Sequence, residues 1–105
     1  MTMETKSAKY FLGQIIHHKN FNYRGVIVGA DPDFQNSEAW YEKMALSKPP
    51  KDQPWYHVLV HDAFHTTYVA EKNLEADSSK DPILHPLVEH FFLRFEEGRY
   101  IFPMS

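Results

Sequence analysis

A chain of 105 residues has room for one modest hydrophobic core and not two, so whatever it does must be done on the surface of a single domain. With 43% hydrophobic and 15% aromatic residues it has enough apolar surface to fold, which excludes a disordered tail, and the absence of cysteine excludes disulfides, thiolate zinc sites and a cysteine nucleophile. The net charge of −3 is unevenly spread: Ala8 to Ala30 holds Lys9, Lys19 and Arg24 and no acid, whereas of the 14 acids all but Glu4 lie from Asp31 onward. A basic edge on an acidic body offers phosphate a local positive field, although the acidic remainder weakens long-range attraction. A charge fluctuation solvated along exposed strand faces accounts for the same pattern. Met1 to Lys9 has no apolar core of the signal-peptide kind and no run approaches membrane-spanning length. The expectation is a cytoplasmic protein without a membrane partner, with residues 1–7 a flexible N-terminus and 8–105 a single domain.

In chain order, Ile15 to His18 and Tyr23 to Val28 are β-branched and aromatic runs separated by Lys19-Asn20-Phe21-Asn22, a turn sequence, and together they predict a hairpin. Gly25 interrupts the second run and predicts a bulge or sharp bend. Asp31-Pro32 is a turn former. Ser37 caps a short helix over Glu38 to Leu46 with Trp40, Tyr41 and Met44 on one side, lying in a long excursion between strands. Ser47 to Pro54 cannot continue that helix and leads in extended form to Trp55. From Trp55 to His61 side chains alternate, with Tyr56, Val58 and Val60 on the core face and Trp55, His57, Leu59 and His61 on the other. Asp62-Ala63-Phe64 turns the chain into a strand from His65 to Ala70, and Glu71 to Leu74 resembles a brief turn and a last small strand. After the polar spacer Asp77 to Asp81, Leu87, Val88, Phe91, Phe92 and Phe95 fall at helical spacing; Gly98 ends that helix, and Arg99 to Ser105 is a partly ordered tail. The fold class is mainly β: a small SH3-like barrel with a short helix in the inter-strand excursion and a C-terminal helical segment.

The chemistry-bearing residues point to binding. Histidines 57, 61 and 65 with Asp62 surround the second hairpin turn, and if His61 pairs with His65 their imidazoles stand about 5 Å apart. His57 lies about 13 Å further along, so no tetrahedral metal set closes. His17 and His18 are consecutive and face opposite ways on a strand, one of them buried or hydrogen-bonded. No nucleophile elbow or phosphate-cradling glycine loop occurs and the carboxylates are scattered over turns, so neither an enzyme nor a cofactor or metal is expected. Phe21, Tyr23, Trp55 and Tyr68 have the ring faces to stack bases, or else form core. The stripe of Phe91, Phe92 and Phe95 either docks on the barrel or offers a partner surface.

Gly13-Gln14, His18, Tyr23, Gly25-Val26, Asp31-Pro32, Pro54-Trp55-Tyr56-His57-Val58, Thr67-Tyr68 and Ala70-Glu71 with Leu74 occur in the order found in a known family. The chain resembles the YccV-like, hemimethylated-DNA-binding domain family typified by the bacterial heat shock protein HspQ. The resemblance implies a small SH3-like β-barrel, stress-induced, cytoplasmic and non-catalytic, with two described roles. One is binding hemimethylated DNA at the replication origin. The other is acting as an adaptor for Lon protease in degrading selected proteins such as denatured replication initiator. The adaptor role is the primary expectation and double-stranded hemimethylated DNA the alternative. For DNA the candidate contacts are Lys9, Lys19 and Arg24, chosen from charge alone; for partner docking they are Phe91, Phe92 and Phe95. A homo-oligomer is expected, a trimer being the first guess.

Overall fold

The computed structural model describes residues 8–103, so the flexible terminus expected at 1–7 and the last two residues of the expected domain lie outside the described residues. Five strands, β1 (Ile15–His18), β2 (Arg24–Asp31), β3 (Trp55–Val60), β4 (Thr66–Ala70) and β5 (Leu74–Ala76), form one antiparallel sheet in the order β4-β3-β2-β1-β5. The helix α1 (Glu38–Met44) sits in the excursion between β2 and β3, where the Ser37 hydroxyl accepts the Trp40 amide as its N-cap. A single 3-10 turn, Glu71–Asn73, joins β4 to β5.

The fold is mainly β, as expected, but the ladder leaves β4 and β5 as free ends, and hydrogen bonds do not close the sheet into a barrel. One face carries Ile16, Ile27, Tyr56, Val58, Val69 and Leu74, all buried, with Tyr10 packed among them. Tyr10 is fastened by its amide to the Tyr56 hydroxyl (3.1 Å) and by its own hydroxyl to the Leu74 carbonyl (3.0 Å). Across the opening of this concave face the Tyr23 hydroxyl meets Thr67 Oγ1 at 2.7 Å.

The opposite face was expected to be the less buried one, and instead it is covered twice. Trp55 and Ala70 pack under Ala45, Phe34, Trp40 and Tyr41 of the α1 excursion. Ile15, Val26 and Leu59 pack under Ile83, Phe92 and Tyr100 of the C-terminal segment. Alternation within β3 therefore separates two buried faces of the sheet rather than core from solvent, and of its six residues His57 alone is exposed.

Beyond residue 81 the structure corrects the expected C-terminal helix. Only one turn, α2 (Val88–Phe91), is helical; Phe95 lies on β6 (Arg94–Glu96), which pairs with β7 (Arg99–Ile101) in a hairpin. Gly98 does not cap a helix. Glu97 and Gly98 form a two-residue turn with φ of 50° and 81°, the left-handed geometry of a tight hairpin. The supposed tail supplies Tyr100, whose hydroxyl takes the Ile83 amide at 2.8 Å.

The bulge expected at Gly25 falls at Val28, where the β2–β3 register shifts between Ile27 and Gly29. Gly25 has a different task, since a Cβ there would stand 2.5 Å from Val58 Cγ1 and 2.7 Å from the Leu59 carbonyl oxygen. Only glycine lets β2 and β3 approach at that point.

Candidate functional site

A cavity of about 880 Å³ forms a groove that follows β4. The residues from His65 to Ala70 form one side, α1 and the chain after it a second, and the β1–β2 turn with Asn73 a third. Each side is built by local rules. The β1–β2 turn is set by Asn22 at φ 56°, a left-handed position that asparagine tolerates, and by His18, whose Nδ1 accepts the amides of Asn20 and Phe21 at 3.1 Å each. Burial, with the neighbouring His17 charge, holds the His18 pKa below the ordinary histidine value. His17 points the other way, its two ring nitrogens against Asn22 Oδ1 (2.6 Å) and Glu75 (2.8 Å), and these bonds raise its pKa.

The aromatic floor is held by hydrogen bonds that the alternating sequence does not announce. Tyr68 donates its hydroxyl proton to Asp31 Oδ2 (2.7 Å) and accepts the Gln35 amide (3.0 Å). Burial and the Asp31 carboxylate push its phenol pKa well up, so it stays a donor. His57 Nε2 reaches the same carboxylate at 3.2 Å and its ring lies 4.6 Å from that of Tyr68. Trp55 donates its indole N–H to the Pro50 carbonyl, and Tyr41 its hydroxyl to that of Pro49. Asp31, read from sequence as a turn former, is the anchor of this network. The mouth is apolar, with Phe21, Met44 and Leu46 left 64%, 56% and 74% exposed. No lysine, arginine, aspartate or glutamate lines the groove.

Of the residues picked out by sequence, the candidate stacking rings Phe21, Tyr23, Trp55 and Tyr68 all line the groove, whereas the charged and C-terminal candidates lie elsewhere and only some of those come together. Lys9 and Lys19 are tied by their main chains to the same 3-10 turn, through Glu71 Oε2 and the Asn73 carbonyl, which brings them beside the turn that carries Lys72 but not into the lining of the groove. Arg24 is not with them: its guanidinium pairs with Asp77 at 2.9 Å and donates to the Asp81 carbonyl. Phe92 is buried against Tyr100, while Phe91 and Phe95 pack at the border of that cluster. The histidines at the second turn do not converge, because the β3–β4 register sets His65 across from Val60 rather than from His61. His61 instead accepts the Leu84 amide at 2.9 Å. Among the described residues no helix is long and apolar enough to cross a membrane.

Residues 8–99 match the family described as hemimethylated DNA-binding protein YccV like. The chain is also similar to F-box only protein 21 of Homo sapiens and of Pongo abelii, 36% identical in each case, and to that of Mus musculus, 35% identical, over 94 residues. The alignment spans 88% of this chain and 15% of each relative, so it corresponds to a small part of a much longer protein. With the match running from the segment before β1 to the first residue of β7, the chain belongs to the YccV-like family.

Proposed function

We propose that this domain is a non-catalytic protein-binding module that acts as an adaptor for Lon protease and delivers selected polypeptides, denatured replication initiator among them. One observation carries the reading: the groove combines aromatic and aliphatic side chains with asparagine, serine, threonine and histidine, and has no lysine, arginine, aspartate or glutamate along it. Phosphate needs cations within reach, whereas a channel of rings, aliphatic side chains and neutral hydrogen-bonding groups suits polypeptide. The polar groups around it, Tyr68, Asp31 and His57, are engaged in holding rings in place, which favours recognition over chemistry. The curled five-stranded sheet bridged by Tyr23 and Thr67 fits an SH3-like barrel with one open seam. Cytoplasmic location and homo-oligomeric assembly belong to the same proposal.

The second reading, hemimethylated DNA, is favoured by the family's description and by Lys9, Lys19 and Lys72 around the 3-10 turn. The two separate in one titration: labelled fully methylated, hemimethylated and unmethylated origin duplexes at two salt concentrations, with purified Lon as the parallel ligand. The adaptor reading expects Lon association that changes little with salt and no preference among the duplexes. Hemimethyl-selective binding that falls steeply with salt and weakens in Lys19→Ala would overturn it, since each phosphate contact adds about −0.9 to the log–log salt slope.

A further inference from the structure

β4 stands at one end of the sheet order, so one side of its backbone has no strand beside it. In antiparallel ladders, pairs that exchange both main-chain hydrogen bonds alternate with pairs that exchange none. The Val60 amide reaches the His65 carbonyl and the Glu71 amide that of Pro54. With the β3–β4 register, this sets His65, Thr67, Val69 and Glu71 toward β3 and turns the amides and carbonyls of Thr66 and Tyr68 outward. Among the described residues no other main-chain group bonds them.

The groove lies along that outward side. Consecutive strand residues point to opposite faces, so a cavity lined by every residue from His65 to Ala70 must run along the strand's edge. Its far wall is the β1–β2 turn, joined to β4 by the Tyr23–Thr67 hydrogen bond. Exposed edges are normally guarded by charge, proline or a bulge; Thr66-Thr67-Tyr68-Val69-Ala70 has neither charge nor proline, and its register against β3 is continuous.

From this we infer that the seam accepts an extended, uncharged, apolar-rich segment of another polypeptide as an added strand on β4. The inference rests on the protein-binding reading above and names what is bound. Main-chain groups of Thr66 and Tyr68 supply the ladder, and Phe21, Trp40, Met44 and Leu46 receive side chains. Five residues of β4 at about 3.3 Å each span roughly 17 Å, enough to pair a segment of about five residues. A charged segment or a phosphate backbone would lose water in the groove without gaining an ionic partner.

The test uses fluorescence anisotropy with a fluorescein-labelled peptide of alternating valine and threonine, about seven residues long to overhang β4 at both ends. Its counterpart is N-methylated at alternate amides. The unmethylated peptide should bind the full chain and the N-methylated one about ten-fold more weakly, the loss of one or two hydrogen bonds. Thr66→Pro removes one outward N–H at the first residue of an edge strand, where proline is tolerated, and should weaken binding by a similar factor. Leu46→Asp, at an exposed site away from the sheet, should weaken it without any change in melting temperature. Equal affinity for the two peptides, or unchanged binding in both variants, overturns the inference. So does a dimer dispersed by Thr66→Pro, which would assign the seam to a second copy of this chain. Lon association measured on the same samples separates the two readings: Lon binding without peptide binding removes the seam and leaves the adaptor, and peptide binding without Lon association does the reverse.

Discussion

Replacing Phe92 by alanine tests whether the C-terminal aromatic stripe belongs to the core or to a partner. Phe92 is 6% exposed, with its ring centroid 5.1 Å from Tyr100 and 6.0 Å from Phe102, and it covers Ile15, Val26 and Leu59. Truncating a buried phenylalanine costs about 3–5 kcal/mol, transfer and cavity together. An unfolding entropy of about 2.1 cal/mol/K per residue gives roughly 0.22 kcal/mol/K for this chain, so the melting temperature should fall by about 14–23 °C. Phe91→Ala and Phe95→Ala, at the border of the cluster, should each cost about 1–2 kcal/mol. Thermal unfolding followed by near-ultraviolet circular dichroism reads all three. A drop below ~3 °C for Phe92→Ala would refute the core assignment, because it is far smaller than the buried ring demands. If Lon association vanished in the same sample, Phe92 would be a partner contact.

Gly25→Ala should cost roughly 3 kcal/mol or more, since the new methyl meets the Leu59 carbonyl as well as Val58; a urea midpoint equal to wild type would show that β2 and β3 have slack there. Arg24→Ala and Asp77→Asn should each lower stability by about 1–2 kcal/mol and together by no more than the larger, whereas Lys19→Ala should stay within about 0.5 kcal/mol. Additive losses in that urea-denaturation cycle would mean the pair is not coupled. Loss of DNA binding in Arg24→Ala alone is therefore to be read against its stability. The neighbouring histidines act on stability in opposite directions with pH. His18 has a lowered folded pKa, so its contribution is complete above the ordinary value of 6.5 and declines as pH falls below it. His17 has a raised one, so its contribution is complete below 6.5 and is lost as pH rises through the folded value. In His17→Ala, the fall in urea midpoint as pH rises above 6.5 should disappear, while the decline on acidification below 6.5 that the buried His18 imposes should remain; a flat profile below 6.5 would show that His18 remains neutral without cost.

Local chemistry was enough to place the hairpin turn at Lys19 to Asn22, the Ser37 cap, both long strands and the brief turn before β5, because each depends on neighbours within a few residues. The opposition of His17 and His18 was equally legible, since strand alternation alone sends one inward. Three things depended on contacts across tens of residues. Tyr100 fixes Ile83 and lets the C-terminal segment fold over β1 to β3, so the spacing of Phe91, Phe92 and Phe95 reported burial without reporting a helix. Phe95 met its cross-strand partner Tyr100 through the Glu97–Gly98 turn, and pairing outweighed periodicity. Arg24 counted as free positive charge until Asp77, beyond β5, was brought to its side. The groove was the least legible feature of all. Its lining comes from the β1–β2 turn, α1 and β4, and the edge that defines it exists because the sheet order leaves β4 with a neighbour on one side only. A sequence records which side chains each strand carries; whether a strand ends a sheet is decided by the pairing of all the others.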